Sequence, residues 1–357
     1  YSVFVNHELE LENLIQSGRE WFGERFSYDS KQSFGFSIPD IIQTDSVHMK
    51  VAVAARSFQP SNFVIDVNSS FLTSLSIPAV SSAYAQEYAK EASIRTQYLS
   101  NSSNLNIDFE YFSADSGAEA WLNYIEINAR RKLKVTGDAF NFRDPYSLGD
   151  ELGEYQIENG AGLEVWDVTE SFNAKRLITT NNGSVLLFKD SLDFLHEYIA
   201  FNNSSYLSPT LKGSIDNQNI HGISNNVEFI IISHPNFLLA ANRLANFHLE
   251  KDNMLSAVIT PQEIYNEFSS GMQDVSAIRD FVKYQYEKNN SKLKYLLLFG
   301  DGSFDPKDRI EDNTNYIPTY QSLNSTHPTK SYVTDDYFGL LDDDEGLFDD
   351  DLVDIGV

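Results

Sequence analysis

The chain has 357 residues, 41% of them hydrophobic and 13% aromatic, which suits two or three cored domains and rules out a disordered chain. Its 52 acidic against 26 basic residues leave a formal charge of −26, which argues against nucleic acid or anionic lipid as a partner, since both are held by basic surface. With no cysteine, these residues hold no disulfide, thiolate metal site or catalytic thiol.

The first part of the chain reads as β-rich. Near its start, Trp21 and Phe22 lie between Gly18 and Gly23 and read as a core anchor at a domain edge. Short strand patterns follow at residues 49–55 and 63–67. Residues 83–92 have helical composition, yet tertiary pairing could make them a strand. Trp121, Asn123, Ile125, Ile127 and Ala129 alternate with more polar neighbours at the period of a half-buried strand. Further strand patterns occur at 163–168 and 185–188, separated by turn clusters such as Asn181-Asn182-Gly183. Many short strands with polar turns predict a sandwich or barrel. Residues 202–226 are rich in Asn, Ser and Gly and form the best linker candidate. The main boundary is therefore expected near Asn225, giving regions 1–225 and 226–357.

Beyond that boundary the pattern becomes α/β. Three near-continuous apolar runs, at 227–232, 255–259 and 295–299, alternate with helix-length segments, which predicts a parallel sheet covered on both faces. Phe237, Leu238, Ala241, Leu244, Ala245, His248 and Leu249 form one helical stripe. Thr260-Pro261-Gln262-Glu263 carries the signature of a capping box with proline at the first helical position. Ile278, Phe281, Val282 and Gln285 make a second stripe, with Asp274 or Ser276 as its cap. Right-handed crossovers are the economical connection. No stretch approaches membrane-spanning length. No signal peptide is evident, the chain opens at Tyr1, and Asp354-Ile355-Gly356-Val357 reads as the opening of a further strand, so both ends look cut.

The third run enters Gly300-Asp301-Gly302-Ser303-Phe304-Asp305, placed where ligands bind in such sheets. A dinucleotide loop needs a third glycine where Asp305 stands, so a nucleotide site is not expected. Between Asp342 and Asp354 lie seven aspartates and one glutamate. Such a cluster is either a solvated loop or a site for calcium, which takes six to eight oxygen ligands in irregular loops. Asp342, Asp344 and Asp351 are the candidate calcium ligands, although the spacing is not that of an EF-hand. The seven histidines are scattered without close metal-ligand spacing. His234, at the end of the first strand, could face a cleft but reads as structural.

Several blocks resemble the C25 (gingipain-like) cysteine peptidases. They are Ile230-Ile231-Ile232-Ser233-His234-Pro235, Arg243-Leu244-Ala245-Asn246-Phe247-His248, the run from Thr260 to Gly271, the run from Asp274 to Val282, and Tyr295 through Ser303. Ile317-Pro318-Thr319-Tyr320 and the run from Ser331 to Leu340 complete the match. Residues 217–222 and 18–24 resemble the sortase subgroup that serves type IX secretion. The resemblance implies an α+β multidomain protein, with an N-terminal β-rich, sandwich-like region followed by the first half of a caspase-like α/β parallel-sheet domain. It implies an exported protein at the cell surface or outer membrane. Such a protein cleaves the C-terminal signal domain of exported cargo and attaches the new terminus to lipopolysaccharide, beside an outer-membrane β-barrel partner. The family's catalytic histidine and cysteine motifs are absent here, because His221-Gly222 precedes the first strand. No catalytic residue carries over, and a fragment lacking the catalytic half is the expectation. The alternative is a non-catalytic surface module that binds a carbohydrate or protein ligand.

Overall fold

The computed structural model describes residues 1–83, 85–149, 151–202, 204, 206–288, 292–345 and 351–357. The chain divides into two compact units: Tyr1–Glu12 with Phe22–Lys212, and Asn13–Trp21 with Gly213–Val357.

Unit 1 begins with nine strands: β1 (Ser2–Glu8), β2 (Arg25–Phe26), β3 (Lys31–Ser37), β4 (Ser46–Arg56), β5 (Ser61–Val67), β6 (Ser70–Ile77), β7 (Lys90–Leu99), β8 (Asn104–Ser113) and β9 (Glu119–Arg130). They form two antiparallel sheets, ordered β1-β9-β4-β7 with β2 also on β9, and β3-β8-β5-β6. β5 shows why they pack as a sandwich. Ser61, Phe63, Ile65 and Val67 are buried while the residues between them are half-buried. Phe63 and Ile65 share one core with Val51, Val53, Phe109, Leu122 and Ile127. Phe26 and Phe63 meet edge-on at 5.0 Å within it. The ambiguous segment 83–92 resolves as strand from Lys90 onward, because β7 pairs with β4 over ten residues, and such pairing outweighs local helical propensity.

β9 departs from strict alternation. Ala52 faces Tyr124 and Val53 faces Leu122, so Asn123 is an extra residue and the strand bulges there. The bulge reverses the phase of the strand. Ala120 and Leu122 therefore join Ile125, Ile127 and Ala129 in the core. Trp121 turns to the other face, where its Nε1 donates to Glu12 Oε2 at 2.8 Å. The expectation that Trp121 and Asn123 share the face of Ile125 is thus corrected.

Seven further strands complete unit 1: β10 (Ala139–Phe142), β11 (Leu152–Ile157), β12 (Glu164–Asp167), β13 (Lys175–Arg176), β14 (Thr179–Asn182), β15 (Val185–Ser191) and β16 (Tyr198–Phe201). They make a second, smaller pair of sheets, β10-β16-β12-β13 and β11-β15-β14. Their core holds Phe142, Ile157, Val165, Leu186, Phe188, Tyr198 and Ala200. The β-rich region is therefore two sandwich-like bodies in succession. Residues 206–219 contain neither helix nor strand.

Unit 2 is built on three parallel strands, β17 (Phe229–Ser233), β18 (Ser256–Ile259) and β19 (Tyr295–Phe299), in the order β18-β17-β19. All five residues of β17 are buried, as a central strand covered on both faces requires. Phe229 and Ile231 pack against Ala241, Leu244 and Ala245 of helix α1 (Leu238–Asp252). Ile230 and Ile232 point the other way, toward Ile264 of α2 (Pro261–Phe268) and Ile278, Phe281 and Val282 of α3 (Val275–Lys288). The capping box is present: Thr260 Oγ1 accepts from Glu263 N, and Glu263 Oε2 accepts from Thr260 N at 2.8 Å. Asp274 Oδ1 accepts from Ser276 N at the start of α3. Beside β19, Leu296 N donates to Gly356 O and Gly356 N donates to Lys294 O, a parallel bridge at the edge of the sheet.

Glu267, on α2, ties the chain before β17 to that helix. Its carboxylate accepts from the backbone of Ile220 (2.8 Å) and His221 (3.3 Å), from Gln218 Nε2 (2.9 Å) and from the His221 ring. Burial pushes its carboxyl up, but the hydrogen bonds from Gln218, Ile220 and His221 outweigh this and hold it at about 2. A folded-state pKa below the unfolded one contributes stability that is complete above about pH 4.5 and lost as pH falls toward 2. Glu267→Gln is expected to cost about 1–2 kcal/mol at pH 7, given charged hydrogen bonds that are partly solvent-screened. It should also flatten the acid limb of stability between pH 4.5 and 2. Urea titrations across that range check this, and an unchanged acid limb in the variant would contradict it.

Candidate functional site

The carboxyl ends of β17 and β19 are where a ligand would bind in an open α/β sheet. β19 runs into Gly300, and a Cβ there would meet Ile317 Cγ1 at 2.7 Å. Bare backbone is needed for close packing, and Asp301 O accepts from the N–H groups of Tyr316 and Ile317. Gly300 serves the close approach of residues 316–317, and the backbone beside it is used internally.

Asp305 closes this loop. It is fully buried, and four donors converge on its carboxylate: Lys307 N (3.2 Å), Ile310 N (2.8 Å), Arg309 N, and Arg309 Nη1 (2.8 Å). Burial pushes its carboxyl up, and the bonds from Ile310, Arg309 and Lys307 hold it net below the usual carboxylate range. With its lone pairs engaged, Asp305 is a loop organiser and offers no base to a substrate. Asp301 Oδ2 accepts from Thr314 Oγ1 at 3.0 Å.

His234 Nδ1 accepts from Asn236 N and caps a short turn at residues 235–237, and its ring lies 4.7 Å from that of Tyr316. That agrees with its structural reading. His221 is engaged by Glu267 and stacks on Phe268 at 4.6 Å. Trp21 is also an anchor, but of unit 2. Its ring stacks on Phe304 at 5.9 Å, and the Arg309 guanidinium lies 4.4 Å from it on the way to Asp305. The chain leaves unit 1 after Glu12 and returns to it at Phe22.

Among the proposed calcium ligands, the side chains of Asp342 and Asp344 are exposed and Asp351 is half-buried. The loop start is held by α3: Arg279 donates to Leu340 O (2.5 Å) and Asp342 O (3.0 Å), and Lys283 pairs with Asp343 at 2.5 Å. Lys283 beside it holds the Asp343 carboxyl below its usual value. Asp349 and Asp350 lie outside the described residues. Among the described residues, the group of metal-ligand type is elsewhere: Asp167, Asp190 and His196, whose ligand atoms lie within 4.8 Å of one another. The sequence separates these residues by up to 29 positions, so no spacing signal betrays them.

Residues 223–357, which include the three-stranded parallel sheet, match the model of peptidase family C25. The resemblance read from the sequence, including its type IX secretion group, therefore holds, as does the β-then-α/β fold class.

Among solved structures, the chain is similar to dimeric latent PorU from Porphyromonas gingivalis, at 25% identity and a TM-score of 0.82 over 97% of this chain. The chain spans 34% of the length of that one. A CBM36-1 domain of a multidomain xylanase from the hindgut metagenome of Trinervitermes trinervoides is also similar, at 12% identity over 36% of this chain and 96% of that one. CBM35 from Cellvibrio japonicus Abf62 is similar at 10% identity over 36% and 92%. Both have a TM-score of 0.23 and carry no argument about fold or ligand. No curated protein sequence matches the chain.

Proposed function

We propose that this chain is part of a cell-surface sortase of type IX secretion, supplying its β-rich region and the opening strands of its peptidase domain. The similarity to PorU over 97% of the chain is the observation that carries this reading. In the whole protein a cysteine thiolate from outside these residues attacks the scissile carbonyl of the cargo, and a histidine handles the proton. The cargo is an exported protein with a C-terminal signal domain, and lipopolysaccharide is the acceptor of its new terminus. An outer-membrane β-barrel is the partner that holds the enzyme at the surface. The −26 charge fits an exported protein and disfavours an anionic membrane surface as its partner.

Expression of the full reading frame with a signal-bearing cargo, followed by mass spectrometry of the cargo, tests the reading. Loss of the signal domain and a modified new terminus are expected. Intact cargo, or a reading frame without a cysteine after a later apolar strand, overturns it. The 357-residue chain alone is expected to turn over no cargo peptide, since it has no cysteine. Turnover abolished by a thiol reagent would contradict that.

The acidic loop is part of the same proposal. Calcium held by Asp342, Asp344 and Asp351 offsets the mutual repulsion of these carboxylates. Binding to the folded form alone stabilises it by about 2.7 kcal/mol at a hundredfold excess over the dissociation constant. Millimolar calcium should therefore raise Tm, magnesium should do less, and Asp342→Asn with Asp344→Asn should abolish the gain. Identical melting curves in chelator and in calcium would leave a solvated loop.

A further inference from the structure

Three acidic side chains and one buried histidine converge in the second sandwich of unit 1. Asp167 ends β12, Asp190 lies in β15, and His196 lies two residues before β16, so the two sheets of that sandwich both contribute. His196 is 8% exposed, and its ring lies between those of Phe194 (4.0 Å) and Tyr198 (5.8 Å), which fixes its orientation. Its Nδ1 is 3.1 Å from Asp167 Oδ2 and 4.0 Å from Asp190 Oδ2. Each of these carboxylates has its other oxygen already tied. Asp167 Oδ1 accepts from Thr169 N (2.9 Å) and Thr169 Oγ1 (2.5 Å), and Asp190 Oδ1 accepts from Ser191 N (2.9 Å). The Oδ2 atoms are turned inward, with Tyr198 OH donating to that of Asp190 at 3.2 Å.

One feature asks for a further group here. No lysine or arginine among the described residues forms an ion pair with Asp167 or Asp190, so two partly desolvated carboxylates face each other with only an imidazole between them. We propose that Asp167, Asp190 and His196 bind a first-row divalent cation, zinc foremost, which staples the two sheets of the second sandwich together. One imidazole nitrogen and two carboxylate oxygens are the donor set of borderline metals. Metal–ligand bonds of that kind put neighbouring donors about 3.3 Å apart in a tetrahedron, beside the 3.1 and 4.0 Å seen here. Metallation at Nδ1 leaves the proton on Nε2, and that atom faces Asp193 Oδ1 at 3.6 Å. A carboxylate on the outer nitrogen and hydrogen bonds on the outer oxygens are the supports that orient metal ligands. The site is independent of the peptidase chemistry and of the acidic loop.

The test uses the full 357-residue chain, stripped with chelator and titrated with zinc chloride in excess magnesium to suppress binding to the acidic surface. One equivalent of zinc is expected to bind and to raise Tm, and cobalt in its place should give a visible d–d spectrum. His196→Gln and Asp190→Asn should each weaken zinc at least tenfold, while Asp342→Asn with Asp344→Asn should leave this affinity unchanged. Should His196→Gln fail to fold, the ¹⁵N resonance of His196 Nδ1 in the unaltered chain decides, since coordination must shift it. No saturation at one equivalent, equal affinity in Asp190→Asn, or an unmoved Nδ1 resonance overturns the proposal and leaves only the hydrogen bond between His196 and Asp167.

Discussion

Replacing Trp21 with alanine is expected to destabilise unit 2 by about 3–5 kcal/mol, the cost of emptying a large buried aromatic site. Trp21 is 5% exposed and stacks on Phe304, while Arg309 covers it. The residues before it are stitched in as well. Arg19 N donates to Ser322 O (2.9 Å), Glu20 N to Ser325 Oγ (2.8 Å), and Ser331 Oγ bonds Ser17 Oγ (2.7 Å). Gly18 has φ +82°, and a Cβ on it would lie 2.0 Å from Asn324 O, so this approach needs glycine. Hydrogen exchange should show protection lost in unit 2, with the amides of β4 and β5 unchanged. Trp21→Phe should recover part of the loss by restoring the stack. A cost below about 1 kcal/mol would mean that residues 13–21 merely lie on unit 2.

Asp305→Asn carries a comparable expected cost, about 3–5 kcal/mol, because it breaks a buried pair and leaves Arg309 without its counter-charge. The asparagine amide also points N–H donors at the N–H groups of Lys307, Arg309 or Ile310, where the carboxylate accepts. Because the folded-state pKa of Asp305 is depressed, its contribution is complete above the unfolded value near 3.8 and lost as pH falls below it. The stability difference between the native chain and Asp305→Asn should therefore be largest at neutral pH and shrink in acid. Urea denaturation at pH 7 and pH 3 reads both quantities. A difference that is small at pH 7, or equal at the two pH values, would remove Asp305 from its role as loop organiser.

The sequence by itself determined what rests on neighbouring residues. The capping box at Thr260 and Glu263 is a bond between positions three apart, so its residues announce it. β17 is legible because a strand buried on both faces has to be apolar throughout; β18 and β19, half-buried at the sheet edges, keep the same apolar run, and the helices between them repeat at their own period. Only the tertiary structure decided the features whose partners are distant in sequence. The bulge at Asn123 is set by the register against β4, and no local pattern marks the extra residue. Trp21 reads as an anchor from its composition, but its partners Phe304 and Arg309 lie nearly three hundred positions away. The assignment of residues 13–21 to unit 2 therefore could not be read locally. His196 looks isolated among scattered histidines until antiparallel pairing of β12 with β16 brings Asp167 beside it. Hydrophobic period and capping chemistry act over a few residues, whereas register, chain crossing and side-chain convergence are fixed only once the sheets have packed.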